Sequence, residues 1–468
     1  MANKDITVML NESDKLTVKE KLGIVCKLST PSILAQISEI IMEYIDAAMV
    51  GVLGATASAS IGLVSSSTWL VGSVLLAMTN GFAVQVAHSV GAQRKDESSK
   101  IFQQSILPCL LVSIVVGIIS YFIGLNLPSI LGADQSLYSD SIAYFTTFSL
   151  FLPARMMNNL FLAMLRCSGN MKTPSILSTL MCALDVVFNY FFIFPSSTFN
   201  IFGLNIVIPG MNLGVLGAQL GTSSAVVVCM ILGFVACMKS SFLKLKKENG
   251  ILPQKNILTK ATQIGTPLCV EHVTLSLAQV VSTKIVAPLG TVAIAANSFA
   301  VTAESICYMP GYGISSAATT MVGQAYGAKH KDAAKSFAWL SVLTGVSVMT
   351  LMAIIMYFIS PQVFSFLTPV KEIQKLGVNV LRIELFAEPL FGASIVCSGA
   401  LCGAGDTLIP AILNLVSIWG IRLPLAYILC QKIGLYGVWI AMCIELCSRG
   451  ILFLIRLARG HWLDKINK

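Results

Sequence analysis

Residues that fix backbone geometry recur 236 positions apart in this chain. Pro31 matches Pro267, Gly54 matches Gly290, Gly91-Ala92 match Gly327-Ala328, and Asp96 matches Asp332. Pro153 matches Pro389, Gly169 matches Gly405 and Pro174 matches Pro410. Proline and glycine restrict or free the backbone in specific ways, so shared spacing among them implies a shared path of the chain. Two copies of one bundle are expected. After Pro174 the offset falls to 220, because Gly214 and Gly217 match Gly434 and Gly437. The first half therefore carries 16 extra residues, most simply 195–210, PSSTFNIFGLNIVIPG. That stretch opens with proline and ends with Pro-Gly, as an inserted loop or small hairpin does.

The bundles are predicted to sit in a membrane. Hydrophobic residues make up 55% of the chain and charged residues only 11%, against roughly 25% charge in a soluble domain. The mean hydropathy is +0.80. Apolar runs near 28–52, 61–87, 101–124, 137–160, 174–195 and 213–236 give spans 1 to 6. Runs near 264–287, 297–322, 336–359, 376–400, 410–430 and 436–456 give spans 7 to 12. Each reaches the length of about 20 residues that crosses a bilayer. The fold class expected is all-α integral membrane, with twelve transmembrane helices in two six-helix bundles. Six is even, so both copies enter from the same side and are related by a pseudo-two-fold axis along the membrane normal.

Orientation follows from the loop cations. Of the 31 Lys and Arg, 23 fall on the face that holds both termini and the loops after spans 2, 4, 6, 8 and 10. Opposite loops offer only Lys371, Lys375 and Lys432. Both termini are therefore expected in the cytoplasm of a multi-pass plasma-membrane protein. The net charge of +9 then needs no nucleic-acid partner. Residues 1–27 are polar, lack a cleavable signal pattern and form a cytoplasmic segment, within which 13–27 is expected to lie on the membrane surface as a short amphipathic helix. The lobes are expected over 28–236 and 264–457, with a charged linker at 237–263 around KSSFLKLKKENG and a tail at 458–468. The thirteen cysteines form no Cys-x-x-Cys pair and no cluster with histidine, so they read as small apolar packing residues and no cofactor is expected.

Ionisable side chains inside spans are costly and ask for a partner or a role. Glu39, Glu43 and Asp46 in span 1 are separated by four and three residues, which places them on one helical face. Burial disfavours the charged form of a carboxylate and favours its union with a proton or a metal cation. Neutralising such a site changes which packing of the bundle is cheaper, and that is the physical basis of ion coupling. Asp185 and Asn189 in span 5 also share a face. Facing a span 1 aspartate, they would supply the several oxygens that a hard cation requires. In the second half, span 7 carries Glu271, His272 and Lys284, span 8 Glu304, and span 10 Arg382, Glu384 and Glu388. Glu304 and Tyr308, four apart, suit a cationic aromatic compound through charge and ring. Glu445 and Arg449 in span 12 read as a structural ion pair.

The chain resembles the multidrug and toxic compound extrusion (MATE) family of transporters over nearly its whole length. The resemblance rests on PSIL at 31–34, YIDAAMVGVLG at 44–54 and GYGISSAATTMVGQAYGAK at 311–329, with RCSGNMKTP at 166–174 and GVLGAQLGT at 214–222. It implies export of bulky, amphipathic or cationic compounds by alternating access, driven by protons or sodium. The family's coupling aspartate on span 1 matches Asp46, and companion polar positions match Asp185, Asn189 and Thr222, which together would hold Na+. Here Asp185 precedes Asn189, reversing the commoner order. A glutamate of span 7 and an aspartate of span 10, used by some sodium-coupled relatives, match Leu275 and Phe391, with Glu271 and Glu388 one turn earlier as replacements. The partners expected are the bilayer and a small-molecule cargo, the chain being a monomer.

Two other functions compete. A flippase for lipid-linked precursors calls for basic residues at depth, yet only Arg155, Lys284, Arg382 and Arg422 lie there beside a larger acidic set. An intramembrane enzyme finds no nucleophile–base pair or metal motif, since Glu271-His272 is not the His-Glu-x-x-His of a metalloprotease.

Overall fold

The structure is a computed structural model and describes residues 17–201 and 204–467. Among these, the expected twelve spans are all present. Spans 1 to 3 are Val18–Gly51, Ala55–Gly91 and Lys95–Gly124, and spans 5 and 6 are Lys172–Ile193 and Gly214–Lys239. Spans 7 to 9 are Lys255–Val286, Thr291–Gly327 and Lys331–Leu367, and span 12 is Leu435–Arg459. Span 11 runs from Leu408 to Ile433 through a wider π-helical turn at Ile418–Arg422. Span 4 is broken into Gln135–Leu150 and Leu152–Cys167, bent by 50°, and span 10 into Lys371–Glu384 and Glu388–Gly403, bent by 58°. Counting each bent pair as one, eleven of the twelve are long and apolar enough to cross a membrane. Span 1 is the exception, because its charged and polar side chains lower its hydropathy.

The expectation of a separate surface helix at 13–27 is corrected from residue 17 onward, residues 13–16 lying outside the described residues. Thr17 and Glu20 form a capping box, with Glu20 Oε2 accepting from Thr17 N at 2.8 Å and Thr17 Oγ1 accepting from Glu20 N at 3.3 Å. These bonds satisfy helix-end donors, and from Val18 the helix continues unbroken into span 1.

The repeat is visible in the backbone itself. Pro153 and Pro389 stand in the first turn of the second half of their broken spans, where proline starts a helix but cannot continue one. Left-handed residues also come in matched pairs: Gly54 and Gly290 at φ 112° and 91°, Gln93 and Lys329 at 59° and 62°, Gly169 and Gly405 at 90° and 79°. The smaller offset holds too, with Gly214 at 56° and Gly434 at 62°. The extra residues form an antiparallel hairpin of β1, Pro195–Ile201, and β2, Leu204–Met211, with Ser197 opposite Ile208 and Ile201 opposite Leu204.

Each lobe has its own core. The first gathers Phe102, Leu152, Met156, Leu160 and Met164, and the second Met349, Phe364, Leu381, Trp439 and Leu446. Exposed stripes such as Ile114, Val115, Ile118 and Phe122 on span 3, and Leu351, Ile354, Ile355 and Phe358 on span 9, form apolar outer surfaces suited to lipid. The segment after span 6 packs back on span 3. Lys246 pairs with Asp96, Gln104 Nε2 donates to Asn249 O at 2.9 Å, and Gln254 N donates to Gln104 Oε1 at 3.0 Å. Span 7 then starts at Lys255, nine residues before the apolar run that marks it in sequence.

The lobes meet chiefly on the face bearing the basic loops. There, Ile24, Val25 and Leu28 of span 1 share one core with Ile314, Ala317, Met321 and Ala325 of span 8. Residues 81–90 of span 2 are buried nearly all round, whereas residues 51–62 alternate with many exposed positions. The lobes are thus packed tightly at the basic face, and the contact of spans 1 and 8 continues away from it as far as Tyr44 Oη, which donates to Thr302 O at 3.3 Å.

The hairpin has no counterpart in the second lobe, where Gly434 makes the same turn without it. Deleting residues 195–210 is expected to leave the purified chain monodisperse with a thermal midpoint within a few degrees of wild type. Loss of folding on deletion would show that the hairpin is structural.

Candidate ion-coupling site

Span 1 and span 5 pack side by side in the first lobe, bringing Asp46 and Asp185 together around one amide. Asn189 Nδ2 donates to Asp46 Oδ1 at 2.7 Å and to Asp185 Oδ2 at 3.0 Å. Asp185 and Asn189 are fully buried. The Asp46 carboxyl lies within hydrogen-bonding reach of Asp185, and the Thr222 hydroxyl stands beside it while donating to Ala218 O at 3.2 Å. Asp185 Oδ1 and Asn189 Oδ1 are buried and accept no hydrogen bond. Buried acceptors without donors are rare and call for an explanation. Two carboxylates this close repel unless a proton or cation joins them. All four residues expected to form a cation site are therefore gathered in one place, with oxygens to spare.

Sequence reasoning missed what makes this closeness possible. A Cβ at Gly221 of span 6 would stand 2.0 Å from Asn189 Oδ1 and 2.8 Å from Asn189 N. Only a residue without a side chain lets span 6 approach there, and Gly221 lies inside the GVLGAQLGT motif. Glu39 and Glu43 do not join the cluster as ligands. Glu39 interacts with Arg166 and Arg155 of span 4, and Glu43 lies between Glu39, Arg155 and the Asp46 site. The break in span 4 places Arg155 at depth, where its guanidinium lies 5.2 Å from the Phe148 ring.

In the second lobe, the polar residues form two groups. Glu271 Oε1 accepts from Asn414 Nδ2 at 2.5 Å, and Leu275 and Ile418 are close by in a shallow groove. Glu388 lies instead with Glu304 and Glu384, so it does not pair with Glu271. All four carboxylate oxygens of Glu384 and Glu388 are buried without hydrogen bonds. Glu384 and Glu388 flank the break in span 10, the device that carries them to membrane depth. Glu384 was not singled out from sequence, because Glu304 and Arg422 reach it from spans 8 and 11. Arg422 and Arg449 supply the opposite charge. Glu445 Oε1 accepts from Ser417 Oγ at 2.5 Å and pairs with Arg449 Nε at 3.2 Å, both charges nearly or fully buried. Tyr308 packs edge-on against Phe391 and Tyr312, with ring centroids 5.7 and 5.9 Å apart. Among the described residues, no group of three or more His, Cys, Asp or Glu is arranged to hold a metal ion; the first-lobe site relies on an amide and a hydroxyl beside its two carboxylates.

Two six-helix lobes, broken spans and charges gathered at depth define a twelve-helix membrane transporter. The MatE family model matches residues 31–191 and again 267–428, the two matches starting 236 residues apart, and the chain belongs to that family, MATE. It is 28% identical over 453 residues to the probable multidrug resistance protein NorM of Thermotoga maritima, covering 93% of this chain and 92% of that one. With the multidrug resistance protein NorM of Vibrio vulnificus it shares 22% identity over 469 residues, covering 96% and 97%. A solved outward-facing MATE multidrug transporter superposes with a TM-score of 0.86 at 18% identity, covering 94% of this chain and 97% of that one.

Gly221→Ala is expected to displace Asn189 and destabilise the chain by about 1–3 kcal/mol through overpacking. Gly62→Ala, where nothing lies within 4 Å of the added carbon, should leave the thermal midpoint unchanged. Equal midpoints for both variants would contradict the close approach.

Proposed function

We propose that this chain exports bulky amphipathic or cationic compounds across the plasma membrane, exchanging them for H+ or Na+ by alternating access. Its basic face is read as cytoplasmic, its lobes as 28–236 and 264–457 joined by 237–263, and its active form as a monomer. The observation that carries the reading is the Asp46–Asn189–Asp185 constellation. A single amide bridges two carboxylates, and two buried oxygens beside it accept nothing. Loading a proton or Na+ there removes the repulsion between spans 1 and 5, and the free energy so gained can bias one packing of the lobes over another. Thr222 is assigned as a further ligand, and Glu39 and Glu43 as charges that attract the ion toward Asp46.

Glu304, Glu388 and Tyr308 are assigned to the cargo surface, where carboxylates and clustered rings favour a cationic aromatic compound. Glu271, held by Asn414, borders it. A lipid-linked pyrophosphate cargo fits less well, because Glu304, Glu384 and Glu388 gather where an anion would have to bind.

The test is export of a cationic dye from proteoliposomes with a pH gradient and a sodium gradient imposed separately. One of the two is expected to drive wild-type export, and Asp46→Asn is expected to reduce it to the level of protein-free vesicles. Full export by Asp46→Asn would overturn the coupling assignment, and acceleration by neither gradient would overturn secondary transport.

A further inference from the structure

The crossing of spans 2 and 8 on the basic face carries two cross-lobe hydrogen bonds related by the repeat. His88 of span 2 donates through Nε2 to Gly403 O at 2.8 Å. Gln324 of span 8 donates through Nε2 to Cys167 O at 2.9 Å. Residues 88 and 324 are 236 positions apart, and so are 167 and 403. Each lobe thus reaches into the other with the same position and grips the same position. The acceptors are the last residues of span 4, ending at Cys167, and of span 10, ending at Gly403. Helix C-termini leave carbonyls without intrahelical partners, so each donor caps a broken span of the opposite lobe.

The backbones around these bonds touch directly. A Cβ at Gly91 would stand 1.9 Å from Gln324 O, and one at Gly327 would stand 1.9 Å from His88 O, again a pair separated by 236. The His88 ring stacks on Tyr326 of span 8, with centroids 4.9 Å apart and planes 27° apart. Such contact lets the helices separate but not slide, since sliding would drive one backbone into the other.

We infer that His88 and Gln324 form a reciprocal latch that holds the two lobes closed at the basic face and must release for that face to open. They are positioning residues for the transport cycle and touch neither ion nor cargo. The inference rests on the alternating-access reading above. When the lobes part, both donors and both carbonyls meet water, so each bond contributes only its net value in solution and the latch biases the closed state without locking it. The two halves differ chemically: the first lobe offers an imidazole and the second an amide, although their geometry is the same.

Deuterium uptake by the purified full-length chain, read over residues 81–91 and 317–327, tests the latch without ion gradient or cargo. His88→Leu is expected to raise uptake roughly two- to tenfold, the population shift that one net hydrogen bond represents, on both segments, including 317–327, which it does not alter. Gln324→Leu should expose the same two segments. His88→Gln, which restores a donor of the kind present at 324, should stay at the wild-type level. Gly327→Ala keeps both donors and should open the same segments by wedging the crossing, which preserves the test if a leucine variant fails to fold. Uptake confined to the substituted helix, or a His88→Gln chain as open as His88→Leu, overturns the latch. Its failure would leave dye export intact, whereas failure of the transport reading would appear in vesicles with the latch unchanged.

Discussion

A carboxylate at membrane depth must find its partners inside the protein, and in the first lobe one amide meets that need for two of them. Asn189 donates both its hydrogens, to Asp46 and to Asp185. Everything around it serves that contact. Gly221 lets span 6 close on span 5, and Thr222 follows it on the same helix. The arrangement is balanced without being satisfied, because two buried oxygens remain free to accept. A site of this kind responds to a small cation by changing how tightly two spans pack, which is what coupling requires.

The frame that carries this site is symmetric, while its chemistry is not. The prolines at 31, 153 and 174, the broken spans, the left-handed residues at 54, 93 and 169 and the cross-lobe contact at 91 all recur 236 positions on. The charges do not. Asp46 corresponds to Ser282 and Asp185 to Ile421, while Glu304, Glu384 and Glu388 have Thr68, Phe148 and Leu152 opposite them. Backbone geometry must be shared for two lobes to rock against each other along one axis. Side chains at membrane depth are not held to that constraint, so they were free to diverge.

Much of the fold was legible in the sequence because its signals are local. Proline and glycine report the backbone where they stand, and apolar length reports a span without reference to any neighbour. The 16-residue excess located the hairpin for the same reason. The first-lobe site was legible in part, since a spacing of four on span 5 aligns Asp185 with Asn189. Its completion was not, because Gly221 matters only through the helix that presses against it. His88 and Gln324 were hidden for a similar reason: their acceptors are backbone carbonyls of the other lobe, which no side-chain pattern records. The continuous helix from Val18 through span 1 also escaped, because a polar helix end resembles a surface segment until the capping at Thr17 is seen.

The central claim is that the Asp46–Asn189–Asp185 constellation exchanges a cation against cargo. Cation release on binding a cationic dye to the purified chain in weakly buffered detergent, followed with a pH indicator and a sodium electrode, measures this most directly. The account predicts that the wild-type chain releases H+ or Na+ as dye binds and that Asp46→Asn binds dye with no release. Equal release from both chains would contradict it.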